Sequence, residues 1–429
     1  MISVSEALQL IEKHAQFNAI KVKPIIKTMG LVLAEDVISA IHMPPFKQSS
    51  MDGYAFAHSD SDCYTVVGEI QAGSARNLQL NQGEAVRIFT GARVPDSADT
   101  VIMQEHVQRQ GNQLNIEILP NKYANVRPIG EQINAGEIAL TKGVELNEAA
   151  IGFLASIGAT RVKVYKRPKV SILITGNELQ QSGDQLEDGQ VYESNSITLK
   201  MALKRLGINK VNTAMVGDDL AQTTEAIKKC IAQSDVVLIS GGISVGDYDF
   251  VKQALEANDV SEVFYKINQR PGKPLWFGVK DKTKVFALPG NPASSLSCFY
   301  IYVLPLLKAQ LGHRDCHLPS GEAFAADDID NKSGKTLFLK GMVENEQATL
   351  LSGQASSMLK SFAVCNAILV IPSHVTFIKK GEKMYFNSNV YSSCNWLKGI
   401  PLWNTKNEEL NKGLFPSCQI NYDYIRVIS

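Results

Sequence analysis

The residues whose types and spacing best suit chemistry lie in Asp235-Val-Val-Leu-Ile-Ser-Gly-Gly-Ile-Ser-Val-Gly-Asp-Tyr-Asp249. Gly241, Gly242 and Gly246 let a backbone come close to a ligand, and Asp247 and Asp249 offer hard oxygen ligands. The same loop also reads as a glycine turn whose aspartates cap the helix-like segment 250–257. Further segments carry similar chemistry: Thr175-Gly-Asn-Glu-Leu179, Val216-Gly-Asp-Asp219, Lys266, Arg270-Pro-Gly-Lys-Pro274 and Leu288-Pro-Gly-Asn-Pro292. Glu178, Asp218, Asp247 and Asp249 suit Mg²⁺, while Lys266, Arg270 and Lys273 suit phosphate or another oxyanion through charge-assisted hydrogen bonds. Together they fit a phosphorylated or nucleotide-linked substrate with a metal. Singly each is weak, because Asp-Asp before a helix is commonly an N-cap and Pro-Gly-Asn-Pro commonly a turn.

These residues converge only if the elements before them run side by side. Val170–Thr175, Val211–Val216, Val236–Ser240 and 285–288 read as strands, and the apolar run of 236–240 is of the kind buried on both faces of a parallel sheet. Between and after them, 197–206, 220–232 and 291–311 read as helices. This alternation over 168–312 predicts βα units with helices on both faces of a mostly parallel sheet. Ligands bind beyond the carboxyl ends of such strands, so all the loops above should share one edge.

The remaining chain predicts an α/β multidomain protein. Ser3 and Glu6 fit a capping box, with Leu8, Ile11 and Ala15 as the apolar stripe of an N-terminal helix. Alternating runs at 64–70, 85–90, 101–108 and 114–119, the last two flanking Gly111-Asn112, predict a small β-domain over 45–127. A helix at 147–157 and a strand at 161–165 then return to the first region. Residues 1–44 and 128–167 would thus form an N-terminal mixed domain, with the β-domain inserted. Strand candidates at 336–339, 348–351 and 367–371 predict a β-barrel or sandwich over 318–389. The tail 390–429 has aromatic clusters without a period and is left unassigned.

At 429 residues the chain has room for about three domains, or four small ones. Its 43 basic and 43 acidic residues argue against bulk nucleic-acid or membrane-surface binding. Seven scattered cysteines without a CxxC pair read as reduced thiols, and no apolar run is long enough to span a bilayer. A soluble, cytoplasmic protein is expected. No Walker A loop, GxGxxG fingerprint, HExxH or GxSxG occurs. Two upstream segments, Pro44-Pro-Phe-Lys-Gln-Ser-Ser-Met-Asp-Gly-Tyr-Ala55 and Ile88-Phe-Thr-Gly-Ala-Arg-Val-Pro95, read by themselves as a domain connection and a turn.

Taken together, the chain resembles the molybdopterin molybdenumtransferases of the MoeA type, relatives of the C-terminal domain of gephyrin. The likeness rests on Ser50-Met-Asp-Gly-Tyr-Ala55, Phe89-Thr-Gly-Ala92, Thr175-Gly-Asn-Glu-Leu179, Ser240-Gly-Gly-Ile-Ser-Val-Gly246, Arg270-Pro-Gly-Lys-Pro274 and Leu288-Pro-Gly-Asn-Pro292, and runs to about residue 390. It implies that adenylated molybdopterin binds, molybdate joins its dithiolene sulfurs, and AMP leaves with the help of Mg²⁺, giving molybdenum cofactor. By position, Asp218, Asp247 and Asp249 would line the pterin-nucleotide and Mg²⁺ side with Glu178 nearby. Lys266, Arg270, Lys273, Lys340 and Ser356 would form the anion side. Gly241, Gly242, Ser244, Gly246, Pro271, Gly272, Pro289, Gly290 and Asn291 would supply the binding loops. Catalytic roles would fall to Asp52, Thr90, Glu178, Asp218 and Asp249, with Asp52 and Thr90 reaching the cleft from the other subunit of a homodimer. Molybdopterin adenylyltransferase and molybdoenzyme apoproteins are the implied protein partners.

Departures from the family pattern include Lys47-Gln48 in place of Asp-Asn, Asn177 where aspartate is common, and a lysine–arginine exchange at Arg270 and at Lys340. Those two exchanges keep charge but change hydrogen-bond geometry. Two other readings remain: an adenylyltransferase acting on molybdopterin, and a scaffold like gephyrin.

Overall fold

A computed structural model describes residues 1–243 and 250–388, so the tail 390–429 lies outside the described residues. The chain divides into two compact units: residues 1–21, 30–32 and 165 onward, and residues 22–29 with 33–164.

In the first unit, helix α1 (Val4–Lys13) begins with the expected capping box. Ser3 N–H donates to Glu6 Oε2 at 2.8 Å and Glu6 N–H to Ser3 Oγ at 3.2 Å. Val4, Ala7, Leu8 and Ile11 form its buried stripe, while Ala15 falls beyond the last turn. The α/β domain follows as β1 (Val170–Thr175), α2 (Asn195–Arg205), β2 (Val211–Val216), α3 (Leu220–Gln233), β3 (Val236–Ser240) and α4 (Val251–Ala257). Next come β4 (Ser261–Tyr265), β5 (Trp276–Lys280), β6 (Thr283–Leu288) and α5 (Pro292–Cys298), which continues through a π turn into α6 (Leu304–Gln310).

The sheet order is β2-β1-β3-β6-β5-β4. The first four strands are parallel and β5 runs antiparallel to both neighbours. Ile172, Leu238, Phe286 and α1's stripe fill the core on one face, while Leu173, Val237, Val285 and Ile227 fill the other. Coverage on both faces is why β1 and β3 are mostly apolar in the sequence, with Ser171 the one polar residue inside β1. Strands β4 and β5 were not legible there. Gly278 interrupts β5, yet a Cβ at that position would come within 2.5 Å of Ser261 O and 2.2 Å of the Trp276 ring. The residue that lowers strand propensity is the one this close approach requires. The helix expected over 291–311 is likewise present but broken by its π turn.

The C-terminal part is a closed barrel. Strands β7 (Ser320–Ala325), β8 (Thr336–Glu344), β9 (Gln347–Leu350), β10 (Ala367–Ile371) and β11 (Lys383–Ser388) pair as a ring, β8-β9-β7-β11-β10 and back to β8. Ala323, Leu369, Met384 and Phe386 lie in its core. The barrel therefore stands where sequence left barrel and sandwich open. Strands β7 and β11 were missed, and Gly321 in β7 sits under the Phe386 ring.

The second unit holds a six-stranded sheet ordered Thr100–Met103, Gly53–Phe56, Glu84–Ile88, Cys63–Ile70, Gln113–Ile116 and Val107–Gln110. The Gly111-Asn112 hairpin joins the last two. The run expected over 101–108 is broken by a 3-10 turn at Gln104–His106. Later residues return to the first region: Ile138–Leu140 pairs with Val37–Ile38, and Ala34 N–H donates to Lys163 O at 2.9 Å. Asn147 caps helix Glu148–Ser156. Among the described residues no helix is long and apolar enough to cross a membrane, and Cys63, Cys230, Cys298, Cys316 and Cys365 form no disulfide.

Candidate functional site

The carboxyl edge of the parallel strands brings together loops separated by more than a hundred residues. After β1 and β2, Asn177 and Asp218 embrace: Asn177 N–H donates to Asp218 Oδ2 at 3.3 Å, and Asp218 N–H to Asn177 Oδ1 at 3.0 Å. Asp219, not Asp218, caps α3 by accepting from Gln222 N–H at 2.7 Å, which leaves Asp218 for the edge. Glu178 folds its carboxylate over Gly176, where an added Cβ would lie 2.6 Å from Oε2.

After β3, Gly241 and Gly242 have φ of +102° and +60°, a region that favours glycine. A Cβ on Gly241 would fall 2.5 Å from Thr175 O, and one on Gly242 2.8 Å from Val251 Cγ2. Gly290, in the turn after β6, is close enough that its Cβ position is 3.5 Å from Gly241 Cα. Asn195, at the start of α2, ties these loops. Its Nδ2 donates to Ser240 Oγ at 2.9 Å and to Gly290 O at 2.6 Å.

The cations come from the antiparallel end of the sheet. Lys266 follows β4, its ammonium 4.6 Å from the centre of the Tyr265 ring, and Tyr265 OH donates to Ile243 O at 2.8 Å. Arg270 and Lys273 are exposed, whereas Pro271 and Gly272 between them are buried. Buried Gln269 fixes that loop by donating to Gly272 O at 3.2 Å while accepting from Tyr302 OH. Cys298 packs under Gly272, and burial pushes its thiol up to about 12, so it is a packing group.

Ser356 and Lys340 come from the barrel part. Ser356 O accepts from Ser294 N–H at 3.1 Å, and Asn291 Nδ2 donates to Ser356 Oγ at 3.0 Å, so this loop meets the Pro289-Gly290-Asn291 turn. Lys340 differs from the other cations. It is only 2% exposed, and its ammonium donates to Gly353 O, Ala355 O and Met358 O.

Ser244, Gly246, Asp247 and Asp249 lie outside the described residues. Among the described residues no group of three or more His, Cys, Asp or Glu side chains could hold a metal ion. Asp218 and Glu178, on loops leaving adjacent strands, supply hard oxygens of the type Mg²⁺ takes, while Asn177 spends its oxygen on Asp218 N–H.

In the second unit, Asp52 Oδ1 accepts from Thr90 N–H and from Thr90 Oγ1, each at 2.7 Å. Those two bonds, backbone first, hold its exposed carboxyl below the ordinary range. Gly53 must be glycine because a Cβ would land 1.7 Å from Ile102 O. Lys47 Nζ donates to Ala98 O at 2.8 Å and Gln48 Nε2 to Gly91 O at 3.1 Å. The two departures there brace the Asp52 segment against the Thr90 segment.

Sequence reading missed Asn195 and Gln269. Asn195 lay two residues before the helix expected over 197–206, and Gln269 only beside Arg270. Their partners are distant in sequence, so no local signal marked them.

Comparison with known proteins places this architecture in a class. Residues 171–309 match the profile described as a probable molybdopterin binding domain, so the class is an α/β protein built around such a domain. Residues 2–158 match the MoeA N-terminal region (domain I and II), and residues 322–387 the MoeA C-terminal region (domain IV). A molybdopterin molybdenumtransferase of Haemophilus influenzae is 35% identical over 362 residues, spanning 82% of this chain and 89% of that protein. Molybdopterin molybdenumtransferase 2 of Mycobacterium tuberculosis is 32% identical over 376 residues, spanning 84% and 93%. The crystal structure of a molybdopterin biosynthesis MoeA protein from Pyrococcus horikoshii superposes with a TM-score of 0.78 at 28% identity, covering 91% of this chain and all of that one. The chain belongs to the MoeA family.

Proposed function

We propose that this protein is a molybdopterin molybdenumtransferase that inserts molybdate into adenylated molybdopterin and releases AMP. One observation carries the reading: exposed Arg270 and Lys273 share an edge with the glycine-lined loops and with Asp218 and Glu178. Molybdate is a dianion that must approach an anionic phosphoanhydride. Each pair of like unit charges about 4 Å apart costs about 4 kcal/mol at an effective dielectric of about 20. Arg270, Lys273 and Lys266 offset that repulsion on the anion side. Gly241, Gly242 and Gly290 let the nucleotide part lie against backbone, and the rigid Gln269 and Asn195 contacts hold the two loop sets in place.

Asp218 with Glu178, joined by Asp247 and Asp249, would hold Mg²⁺. That ion, when bound, neutralises charge on the phosphates as AMP leaves. Asn177 keeps Asp218 oriented toward the edge.

We place this activity in a cytoplasmic homodimer in which Asp52 and Thr90 complete the partner's site. Exposed Val22, Ile26, Met29, Ile38 and Ile138 in the second unit support a subunit contact there. Asp52, held ionised by Thr90, is suited to orient a donor group of the substrate.

The test offers the purified protein adenylated molybdopterin with and without molybdate, and molybdopterin with ATP. AMP formed only with molybdate supports the transferase. Adenylation of molybdopterin by ATP supports the adenylyltransferase instead.

A further inference from the structure

We infer that Lys340 is a positioning residue that clamps the loop carrying Ser356, and that it does not itself contact the oxyanion. An ammonium has three N–H donors. Those of Lys340 point to Gly353 O at 2.9 Å, Ala355 O at 3.3 Å and Met358 O at 3.4 Å, so none remains for a ligand. The side chain is 2% exposed, and the Phe362 ring lies 5.9 Å from its nitrogen. Burial also lowers its proton affinity, in keeping with a site closed to solvent.

The loop it holds is a built clasp. Gln354 returns to the same strand, accepting from Lys340 N–H at 3.0 Å and donating to Lys340 O at 2.8 Å. The single O–H of Ser361 is shared between Gly353 O at 2.7 Å and Met358 O at 3.0 Å, bracing the loop from its far side. At the tip, Ser356 O takes the first-turn amide of Ser294, one of the donors α5 cannot satisfy within itself. Ser356 Oγ meanwhile accepts from Asn291 Nδ2, which leaves its own proton free to donate outward. The chain of contacts runs from Lys340 through the loop to Ser356 and on to the Pro289-Gly290-Asn291 turn. The ligand-facing positive charge is left to Lys266, Arg270 and Lys273. A guanidinium, planar and forked, does not match three convergent carbonyls, so lysine at this position is matched to the clamp.

The inference rests on the transferase reading only for its activity readout, since hydrogen exchange of the 353–358 amides needs no substrate. In Lys340→Met, exchange there should rise at least tenfold, and AMP release should fall with the same kcat-against-KM pattern as Ser356→Ala. The double variant should lose no more than about threefold beyond either single one, because Lys340 acts only by positioning the loop that carries Ser356. Lys340→Arg should leave the exchange raised despite its charge. Unchanged exchange in Lys340→Met, or a tenfold rise in molybdate KM that multiplies with that of Ser356→Ala, would overturn the clamp and restore a direct anion contact. Should Lys340→Met not fold, Lys340→Gln, uncharged but still able to donate, takes its place. A molybdate KM within about threefold of wild type then supports the clamp, and a tenfold rise overturns it. A wild-type protein without AMP release would sink the transferase reading while the exchange result still judged the clamp.

Discussion

Replacing Asn195 should separate hydrogen-bond loss from charge burial at the point where two binding loops are tied. Its amide orientation is fixed, because Gly290 O can only accept and so must face Nδ2. Asn195→Ala removes two donors at 2.9 and 2.6 Å, each worth about 1 kcal/mol. Asn195 Oδ1 is buried without a partner, so deleting it returns part of that loss, and the net cost should be about 1–2 kcal/mol. Asn195→Asp keeps the shape but turns an acceptor toward Gly290 O and buries a charge at a residue only 9% exposed. At pH 8 that should cost about 3 kcal/mol or more. The new carboxyl would have a folded pKa raised above its unfolded value of about 3.9. Its deficit therefore shrinks as pH falls from about 8 toward 5, where the protonated form can donate to Gly290 O. Fluorescence of buried Trp276 reports denaturant unfolding of this unit once Trp396 and Trp403 are replaced by phenylalanine. If Asn195→Asp were no worse than Asn195→Ala at pH 8, or its deficit grew on acidification, the assigned geometry would be wrong.

Gly241→Ala must strain a φ of +102° and push Thr175 O away, so it should destabilise by about 2 kcal/mol, whereas Gly290→Ala meets an ordinary 3.5 Å contact and should cost less than about 1 kcal/mol. Denaturant midpoints of the two variants check that order. Thr90→Val deletes one of the two bonds that depress Asp52, so the carboxyl should titrate at higher pH, read by its carbon NMR shift. An unmoved titration would show that Thr90 Oγ1 does not set Asp52's charge. Mixing inactive Asp52→Ala with inactive Lys273→Ala should restore up to about a quarter of the activity if each site draws on two subunits. No recovery, after exchange of subunits is verified, would place both residues' action in one chain.

Much of the fold was legible because its physics is local. The strands Val170–Thr175 and Val236–Ser240 are buried on both faces and so are mostly apolar, and Ser3 with Glu6 closes a box within four residues. What stayed hidden depends on distant partners. Strand β5 is possible because Gly278 meets Ser261 on the neighbouring strand. Asn195 bonds residues 45 and 95 positions away, which no periodicity reveals. Lys340 shows the limit of residue type most clearly. A lysine aligned with an anion-binding pattern is expected to meet an anion, but burial beside three carbonyls gives its charge another task. The capping question at Asp218-Asp219 was likewise settled only by geometry, with Asp219 as the cap.

The central claim is that this edge joins molybdate to adenylated molybdopterin. A single-turnover reaction that counts AMP released and molybdenum incorporated tests it most directly. Equal amounts of both are expected, with release absent when molybdate is withheld and reduced at least tenfold in Arg270→Met and Lys273→Met. AMP release at the same rate without molybdate, or unaffected by removing both cations, would contradict the account.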